Sequence, residues 1–286
     1  MQAMILGAGL GSRLRPLSLE LPKPAVPIGD TPLFALQASQ LRSAGFDVRA
    51  MNASYMADVL APLAAAENLA LSIETELLGT AGGVARARDR GMLFDAPLLV
   101  HNGDICTRVG WQCLLGELGT SAARLAVRRR SIGQGSVGWT ETGTVCRLRD
   151  VRVSSEAYSG DFLGVHVMSA DVLRALPSRG CLVGDVYIPQ ILTGAQITVC
   201  EVSDNVWDVG DVQSYYRACL DWAGNAWHSP QARVQPGCRT DGSVVGKGAV
   251  VRADVLSSVV WPGATVTMPT EGCVVTRTQS VYALPR

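Results

Sequence analysis

The chain opens on an apolar run, Gln2-Ala3-Met4-Ile5-Leu6, that stops against three glycines in five residues, Gly7-Ala8-Gly9-Leu10-Gly11. A short apolar run met at once by glycines reads as a buried strand feeding a loop whose backbone N–H groups stand clear of any Cβ. Such a loop can close around an anion. The pattern then continues in alternation. Thr31-Pro32 predicts a helix start, with Thr as N-cap and Pro at the first helical position, and the helix runs through Leu33, Leu36, Leu41 and Ala44 to Gly45. Asp47 to Asn52 reads as a strand, Met56 to Glu67 as an amphipathic helix and Leu71 to Thr75 as a strand. A helix follows Gly82-Gly83, and Pro97 to Asn102 is a strongly apolar strand. Strands alternating with helices predict a parallel sheet wrapped by helices.

Composition narrows the function. Of 286 residues, 48% are hydrophobic and 17% charged, which predicts a folded chain of one large domain or one with a small appendage. Twenty-five basic residues balance 25 acidic ones, so a nucleic-acid partner, which needs a basic surface, is not expected. No apolar run reaches the roughly 18 residues of a membrane span, and the N-terminus carries no positively charged leader pattern, so no membrane partner is expected. The eight cysteines are scattered without a CxxC pair, which predicts free thiols in a reducing cytoplasm rather than disulfides or zinc.

From Arg124 to Asp161 strand-like pieces dominate, among them Leu125 to Val127 and Val151 to Val153, and read as an insertion bearing a substrate pocket. Gly164 to Met168 and Gln196 to Val202 are strand-like, and Val212 to Ala223 reads as a helix. From about Ser229 Gly, Val and Pro take over, and Val245/Val251 and Val260/Val266 stand six residues apart. A hexapeptide period marks a parallel β-helix. The expected division is therefore a catalytic domain over 1–228 and a β-helix tail of two or three coils over 229–286.

The glycine loop continues as Ser12-Arg13-Leu14-Arg15-Pro16-Leu17, with Leu21-Pro22-Lys23-Pro24 downstream. A dinucleotide-binding fingerprint would want glycine at Ser12, and a P-loop would end in Gly-Lys-Ser/Thr; neither fits. Two prolines restrict the backbone around Lys23, one of only two lysines among the 25 basic residues, and a compact point charge suits phosphate there. Taken together, Gly-x-Gly-x-Gly-x-Arg-Leu-x-Pro-Leu and Pro-Lys-Pro resemble the signature of the sugar-1-phosphate nucleotidyltransferases. The likeness extends over roughly residues 1–225. Leu78-Gly79-Thr80-Ala81-Gly82-Gly83 resembles that family's base and sugar loop, Asn102-Gly103-Asp104 its magnesium-binding turn and Trp207-Asp208-Val209-Gly210 its second metal-bearing segment.

The resemblance implies a Rossmann-like α/β fold of the GT-A kind, a mixed sheet with helices on both faces, plus a short left-handed β-helix at the C-terminus. It also implies condensation of a nucleoside triphosphate with a sugar 1-phosphate, releasing pyrophosphate. It assigns Arg13, Lys23, Asp104 and Asp208 to catalysis, with Mg²⁺ on Asp104 and Asp208. Leu6, Gly7, Ala8, Gly9, Gly11, Ser12, Arg13, Glu76, Gly79 and Thr80 would bind nucleotide. Gly103, Gly164, Arg149 and Asp185 would face the sugar phosphate. One departure stands out: where many members carry a mid-chain Lys for the sugar phosphate, this chain reads Val145-Cys-Arg-Leu-Arg-Asp-Val-Arg-Val153, leaving Arg149 or Arg152 as substitutes. Asp211, three residues after Asp208, reads as a helix cap. Arg128-Arg129-Arg130 reads as a solvated sheet edge, and His101 and His166 as structural.

The members most similar are the mannose-1-phosphate guanylyltransferases. N-acetylmuramate-1-phosphate uridylyltransferases and glucose-1-phosphate uridylyl- or thymidylyltransferases are the alternatives, and a catalytically silent regulatory relative is the reading from another class. The tail's valines and Trp261 need cover, which predicts packing on the catalytic domain, on a second copy in a homodimer, or on both.

Overall fold

The structure is a computed structural model describing residues 1–108, 110–202 and 205–283. Contacts divide the chain into two compact units, one comprising Met1–Gly9 and Gln37–Val206, the other Leu10–Leu36 and Trp207–Arg286.

The first unit is built on one mixed sheet. Strands β1 (Gln2–Leu6), β2 (Asp47–Ala53), β3 (Ala70–Ile73) and β4 (Leu98–Asn102) lie parallel in the order β4-β1-β2-β3. Their connections run through helices α1 (Leu33–Ser43, belonging to this unit from Gln37 onward), α2 (Ala57–Ala66) and α3 (Gly79–Asp89). β1, β2 and β4 are buried almost throughout, as parallel strands covered by helices must be. The order reverses between β1 and β4, and at the carboxyl end of that junction Leu6 pairs with Asn102 on one side and Asn52 on the other. Open α/β sheets bind ligands at such a switch point.

Past β4 the sheet turns antiparallel. The long strand β9 (Tyr158–Met168) pairs with β4, with β5 (Ala123–Arg130) and with β6 (Val137–Trp139), and β6 continues to β7 (Val145–Leu148) and β8 (Val151–Arg152). This is the insertion expected between residues 124 and 161, now an extension of the main sheet. A strand β10 (Ile197–Glu201) closes the other side of β5 in parallel.

Several local readings change. Thr31-Pro32 forms half of a two-residue hairpin with Pro27-Ile28, and the helix begins only at Leu33. α3 starts at Gly79, so Gly82 and Gly83 lie inside it rather than ahead of it. Glycine inside a helix costs about 1 kcal/mol against alanine. Here a Cβ on Gly82 would sit 2.6 Å from the Ser178 carbonyl oxygen, and one on Gly83 would collide with the side chains of Asn52 and Glu74. The three arginines 128–130 pair with Ser159–Asp161 on one side only, since the pairing of β5 with β10 stops at Val127, and Arg129 and Arg130 are exposed as a sheet edge would be. Arg128 and Arg130 share Asp161 at 3.2 and 2.7 Å; partial burial raises that carboxyl, but the two guanidinium hydrogen bonds outweigh it and hold it below the usual range. Arg129 pairs with Glu201 at 3.3 Å and stacks over Tyr158.

The cysteine reading needs correction at one pair. Cys113 and Cys200 form a disulfide, their Cα atoms 6.2 Å apart. They are 87 residues apart in sequence, so spacing carried no sign of it; the helical turn Gln112–Leu114 packs beside β10 and brings them together. Cys106, Cys146, Cys181, Cys219, Cys238 and Cys273 remain thiols.

In the second unit, helix α4 (Val212–Ala223) matches the sequence reading residue for residue. Asp211 caps it, accepting the Ser214 N–H at 2.8 Å while Ser214 Oγ accepts the Asp211 N–H. Three short parallel sheets over Trp227–Val275 stack as the coils of a β-helix, Val244 pairing with Val259 and Val259 with Val274. The steps between sheets are six residues from Val245 to Val251, five from Val250 to Val255 and four from Val255 to Val259, so the coil repeats every 15 residues rather than in uniform hexads. Val245, Val251, Val255, Val260 and Trp261 are buried. The tail packs on its own unit: Trp261 Nε1 donates to Tyr215 Oη at 2.8 Å, Tyr215 donates to the Pro27 carbonyl at 2.5 Å and Tyr216 to the Ser257 carbonyl at 2.6 Å. Asp30 accepts from Ser229 Oγ at 2.7 Å and from the Lys247 N–H at 2.5 Å.

Two buried histidines make the first unit acid-sensitive. Burial lowers His101 to about 4, against small opposing effects of the Asn102 carbonyl and Asp104, and lowers His166 to about 3, with His101 adding to the shift. Both pKa values fall below the unfolded value near 6.5, so below that pH the unfolded chain binds protons the fold refuses. Stability is full above about 6.5 and is lost as pH falls toward 4. Going from pH 8 to 5 should cost about 2 kcal/mol for each histidine. Urea midpoints measured at the two pH values check this, and His166→Gln should halve the slope. A midpoint independent of pH would refute it.

Candidate active site

The carboxyl ends of β1, β2 and β4 carry the candidate residues of the first unit. Gly7 and Ala8 leave β1 with their N–H groups turned to Asn52 Oδ1 at 2.8 and 3.3 Å. Asn52 Nδ2 in turn donates to Glu74 Oε1 at 2.6 Å, and Glu74 Oε2 accepts the Leu78 N–H at 3.1 Å. Asn52 and Glu74 are each only 3% exposed. Each side chain serves two elements: Asn52 ties the glycine loop to β2, and Glu74 ties β3 to the turn that starts α3. Sequence reading missed both, and the sole trace of them was polar residues inside or beside otherwise apolar strands.

Gly103 and Asp104 form the turn after β4. The Gly103 N–H donates to the Leu6 carbonyl at 2.8 Å, and any Cβ at Gly103 would strike that oxygen. The turn therefore seats half-buried Asp104 beside Leu6 and Gly7. Gly164, with φ +71°, takes its place against the Asn102 side chain for the same reason. At the start of α3, Gly79 has φ +77° and its Cα faces the Gly180 carbonyl so closely that a Cβ would not fit. Thr80 Oγ1 accepts the Leu182 N–H at 2.8 Å, and the Ala81 N–H donates to the Gly180 carbonyl at 2.9 Å.

The same segment receives two sugar-phosphate candidates. Asp185 Oδ2 accepts the Cys181 N–H at 2.6 Å, and an Arg149 guanidinium nitrogen lies 3.5 Å from Cys181 Sγ. Partial burial raises the Cys181 thiol, but the Gly184 and Val183 N–H groups and Arg149 outweigh it, leaving the thiol below its usual value. Arg149, at φ +53°, thus joins Asp185, whereas Arg152 is occupied by Glu156 at 2.7 Å, a buried carboxylate that also holds Arg147 at 2.8 Å. Glu76 stands apart from Glu74: it is 68% exposed and ion-paired with Arg179 at 2.6 Å.

In the second unit Gly11, with φ +58°, packs against Ser18 and Lys23; a Cβ there would lie 3.3 Å from Lys23 Cβ. Ser18 Oγ donates to the Gly11 carbonyl at 2.8 Å, folding the loop back. Lys23 opens a single helical turn, Lys23–Ala25, behind extended Pro22. Arg13, beside exposed Ser12 at the start of the turn Ser12–Leu14, is exposed, and so is Asp208 at the end of the strand Val206–Asp208. Both reach Gly210, where a Cβ would lie 3.2 Å from Asp208 Oδ1 and 3.5 Å from the Arg13 guanidinium. Asp211 is held below the usual carboxylate range by the Ser214 N–H first, then by its hydroxyl; slight burial opposes this and Arg13 adds to it.

Among the described residues no group of three or more His, Cys, Asp or Glu could hold a metal by itself. Asp104 in the first unit and Asp208 in the second each offer a hard carboxylate oxygen of the kind magnesium prefers. No helix among the described residues is long and apolar enough to cross a membrane.

The family model described as nucleotidyl transferase matches residues 2–130. The mannose-1-phosphate guanyltransferase of Schizosaccharomyces pombe is 26% identical over 260 residues, covering 86% of this chain and 71% of that protein. The UTP–glucose-1-phosphate uridylyltransferase of Synechocystis sp. is 25% identical over 241 residues, 76% of this chain. The match takes in 62% of that relative's length. Among solved structures, HddC from Yersinia pseudotuberculosis complexed with GMP-PN superposes with a TM-score of 0.60 at 21% identity, over 77% of this chain and 99% of that one. A putative glucose-1-phosphate thymidylyltransferase from Bacillus anthracis gives 0.62 at 18% identity, over 79% and 97%.

Proposed function

We propose that the chain, whose residues 2–130 match the family model described as nucleotidyl transferase, transfers a nucleotidyl group from a nucleoside triphosphate to a sugar 1-phosphate. The supporting observation is the switch point itself, where Asn52 orients the Gly7 and Ala8 amides and the Gly103 turn seats Asp104 beside them. A phosphate oxygen of the sugar phosphate attacks the α-phosphorus, the bond to the β-phosphate oxygen breaks, and pyrophosphate leaves with its electron pair. No protein nucleophile is required, so the work is positioning and neutralising charge.

In this reading Gly7, Gly9 and Gly11 take the nucleotide phosphates, Arg13 stabilises departing pyrophosphate and Lys23 sits on phosphate charge as a point cation. Arg149 replaces the lysine other relatives place on the sugar phosphate, its fork suited to two phosphate oxygens, with Gly103, Gly164 and Asp185 around it. Asp104 and Asp208 would hold Mg²⁺, which would neutralise charge growing between the α- and β-phosphates. Pyrophosphate release assayed across the common triphosphates and sugar 1-phosphates tests the reaction. No release with any pair would favour a silent binding relative.

We assign guanylyl transfer to mannose 1-phosphate, supported by the guanyltransferase relatives and by the acidic Glu76 ahead of α3. A carboxylate accepts from guanine N1–H and the 2-amino group together, which uracil cannot offer, and Glu76 becomes available by exchanging Arg179 for the base. A site built on such bonds rejects the wrong base by large factors. GTP should therefore outcompete UTP by at least about tenfold in a mixed-substrate assay, and Glu76→Gln should shrink the ratio. UTP winning would turn the reading to uridylyl transfer, for which the Synechocystis relative stands.

We further propose a homodimer through the β-helix tail. Light scattering of the intact chain should give twice the chain mass, and truncation after Trp227 should give monomer that aggregates, because Tyr215, Tyr216 and Pro27 lose their cover. A monomeric intact chain would end the dimer proposal.

A further inference from the structure

A cleft of about 510 Å³ runs along α3 in the first unit, and nothing in the proposed chemistry uses its far end. Arg86, Arg90, Ser178 and Arg179 line it together with Glu76 and Asp89. The two carboxylates do not balance these cations within the cleft. Glu76 is taken by Arg179 at 2.6 Å, and Asp89 by Arg88, which points elsewhere, at 2.8 Å. Arg86 and Arg90 stand one turn apart on the same helix face, where like charges repel. Neither guanidinium has a carboxylate partner among the described residues, and Arg86 Nε is fully buried with no protein acceptor. Elsewhere the chain spends its arginines on carboxylates, as at Arg128, Arg130, Arg147 and Arg174.

Two unpaired guanidiniums, a third held by an exchangeable exposed carboxylate and a hydroxyl in one concave space match a compact dianion. A guanidinium fork donates to two phosphate oxygens at once, and Ser178 can donate to a third. Arg86 and Arg90 lie about 10 to 16 Å along α3 from Gly79, by the helical rise, so the far end of the cleft is separate from the turn that starts the helix. We propose that this cleft is a binding site for a small molecule bearing a phosphoryl group, held by Arg86, Arg90 and Arg179. Occupancy draws Arg179 from Glu76. It also acts on the strap 178–182, whose Gly180 N–H bonds the Leu78 carbonyl at 2.8 Å and whose Leu182 N–H holds Thr80. A ligand here is therefore coupled to the turn that presents Gly79 and Thr80.

Calorimetric titration of the full chain with inorganic phosphate, at constant ionic strength, tests the site. Wild type should bind with a dissociation constant at or below about 5 mM, and Arg86→Gln/Arg90→Gln should weaken that binding at least about tenfold. Arg90→Glu, at an exposed position, should do the same in direction and keeps the test decisive if the double variant misfolds. Equal affinity in wild type and variants would place the phosphate elsewhere and overturn the proposal, as would no binding by wild type. Neither variant touches the residues assigned to nucleotidyl transfer, so their pyrophosphate release without added phosphate should match wild type.

Discussion

Asp104→Asn and Asp208→Asn should each lower turnover at least about 100-fold, and removal of divalent metal by EDTA should abolish it. The substitution keeps the shape of each side chain and deletes one charge. Asp208 is exposed, and Asp104 sits half-buried on the turn that the Gly103 N–H closes onto Leu6. Folding should therefore hardly change, with urea midpoints of the variants near that of wild type. The loss should fall on turnover more than on the Michaelis constant for the sugar phosphate, because charge develops on the pyrophosphate in the transition state. Either variant retaining full activity, or wild type working unimpaired in EDTA, would remove that carboxylate from the mechanism.

The second large effect should come from a residue that touches no phosphate. Asn52→Ala removes the acceptor for the Gly7 and Ala8 amides and the donor to Glu74 in one step. It leaves a buried carboxylate oxygen unpaired, which costs about 3 kcal/mol. The glycine loop then loses its fixed direction, and a misplacement of about 1 Å can cost about 100-fold in rate. Thermal unfolding and steady-state kinetics on the same preparation check both parts. Asn52→Asp should be worse than alanine, since it sets a second carboxylate at the 2.6 Å contact with Glu74. Glu74→Gln keeps the volume but turns a donor toward donors, and should share the phenotype more mildly. Wild-type stability and kinetics in Asn52→Ala would show that the loop holds itself.

How much of this was legible beforehand follows from the range of the interactions. Chemistry confined to a few neighbouring residues could be read directly. The apolar period and the glycines after Leu6 announced β1 and its loop; Asp211 announced the cap of α4; Val245 and Val251 announced successive sides of the coil. Each depends on backbone sterics or on hydrogen bonds within one turn, which any chain of that sequence carries with it.

Contacts between elements distant in sequence were invisible. Asn52 and Glu74 are 22 residues apart and meet only because β2 and β3 pair in one register; neither has a recognisable neighbour in sequence. Gly82 and Gly83 looked like a boundary because glycine weakens helices, and only the closeness of Ser178, Asn52 and Glu74 shows why a helix keeps them. The Cys113–Cys200 disulfide, the 15-residue coil period and the pairing of Glu76 with Arg179 were all decided in the same way. A local pattern determines what a segment becomes. Which side chains then meet depends on strand register and helix packing, and so the amides of Gly7 and Ala8 owe their direction to a residue 45 positions away.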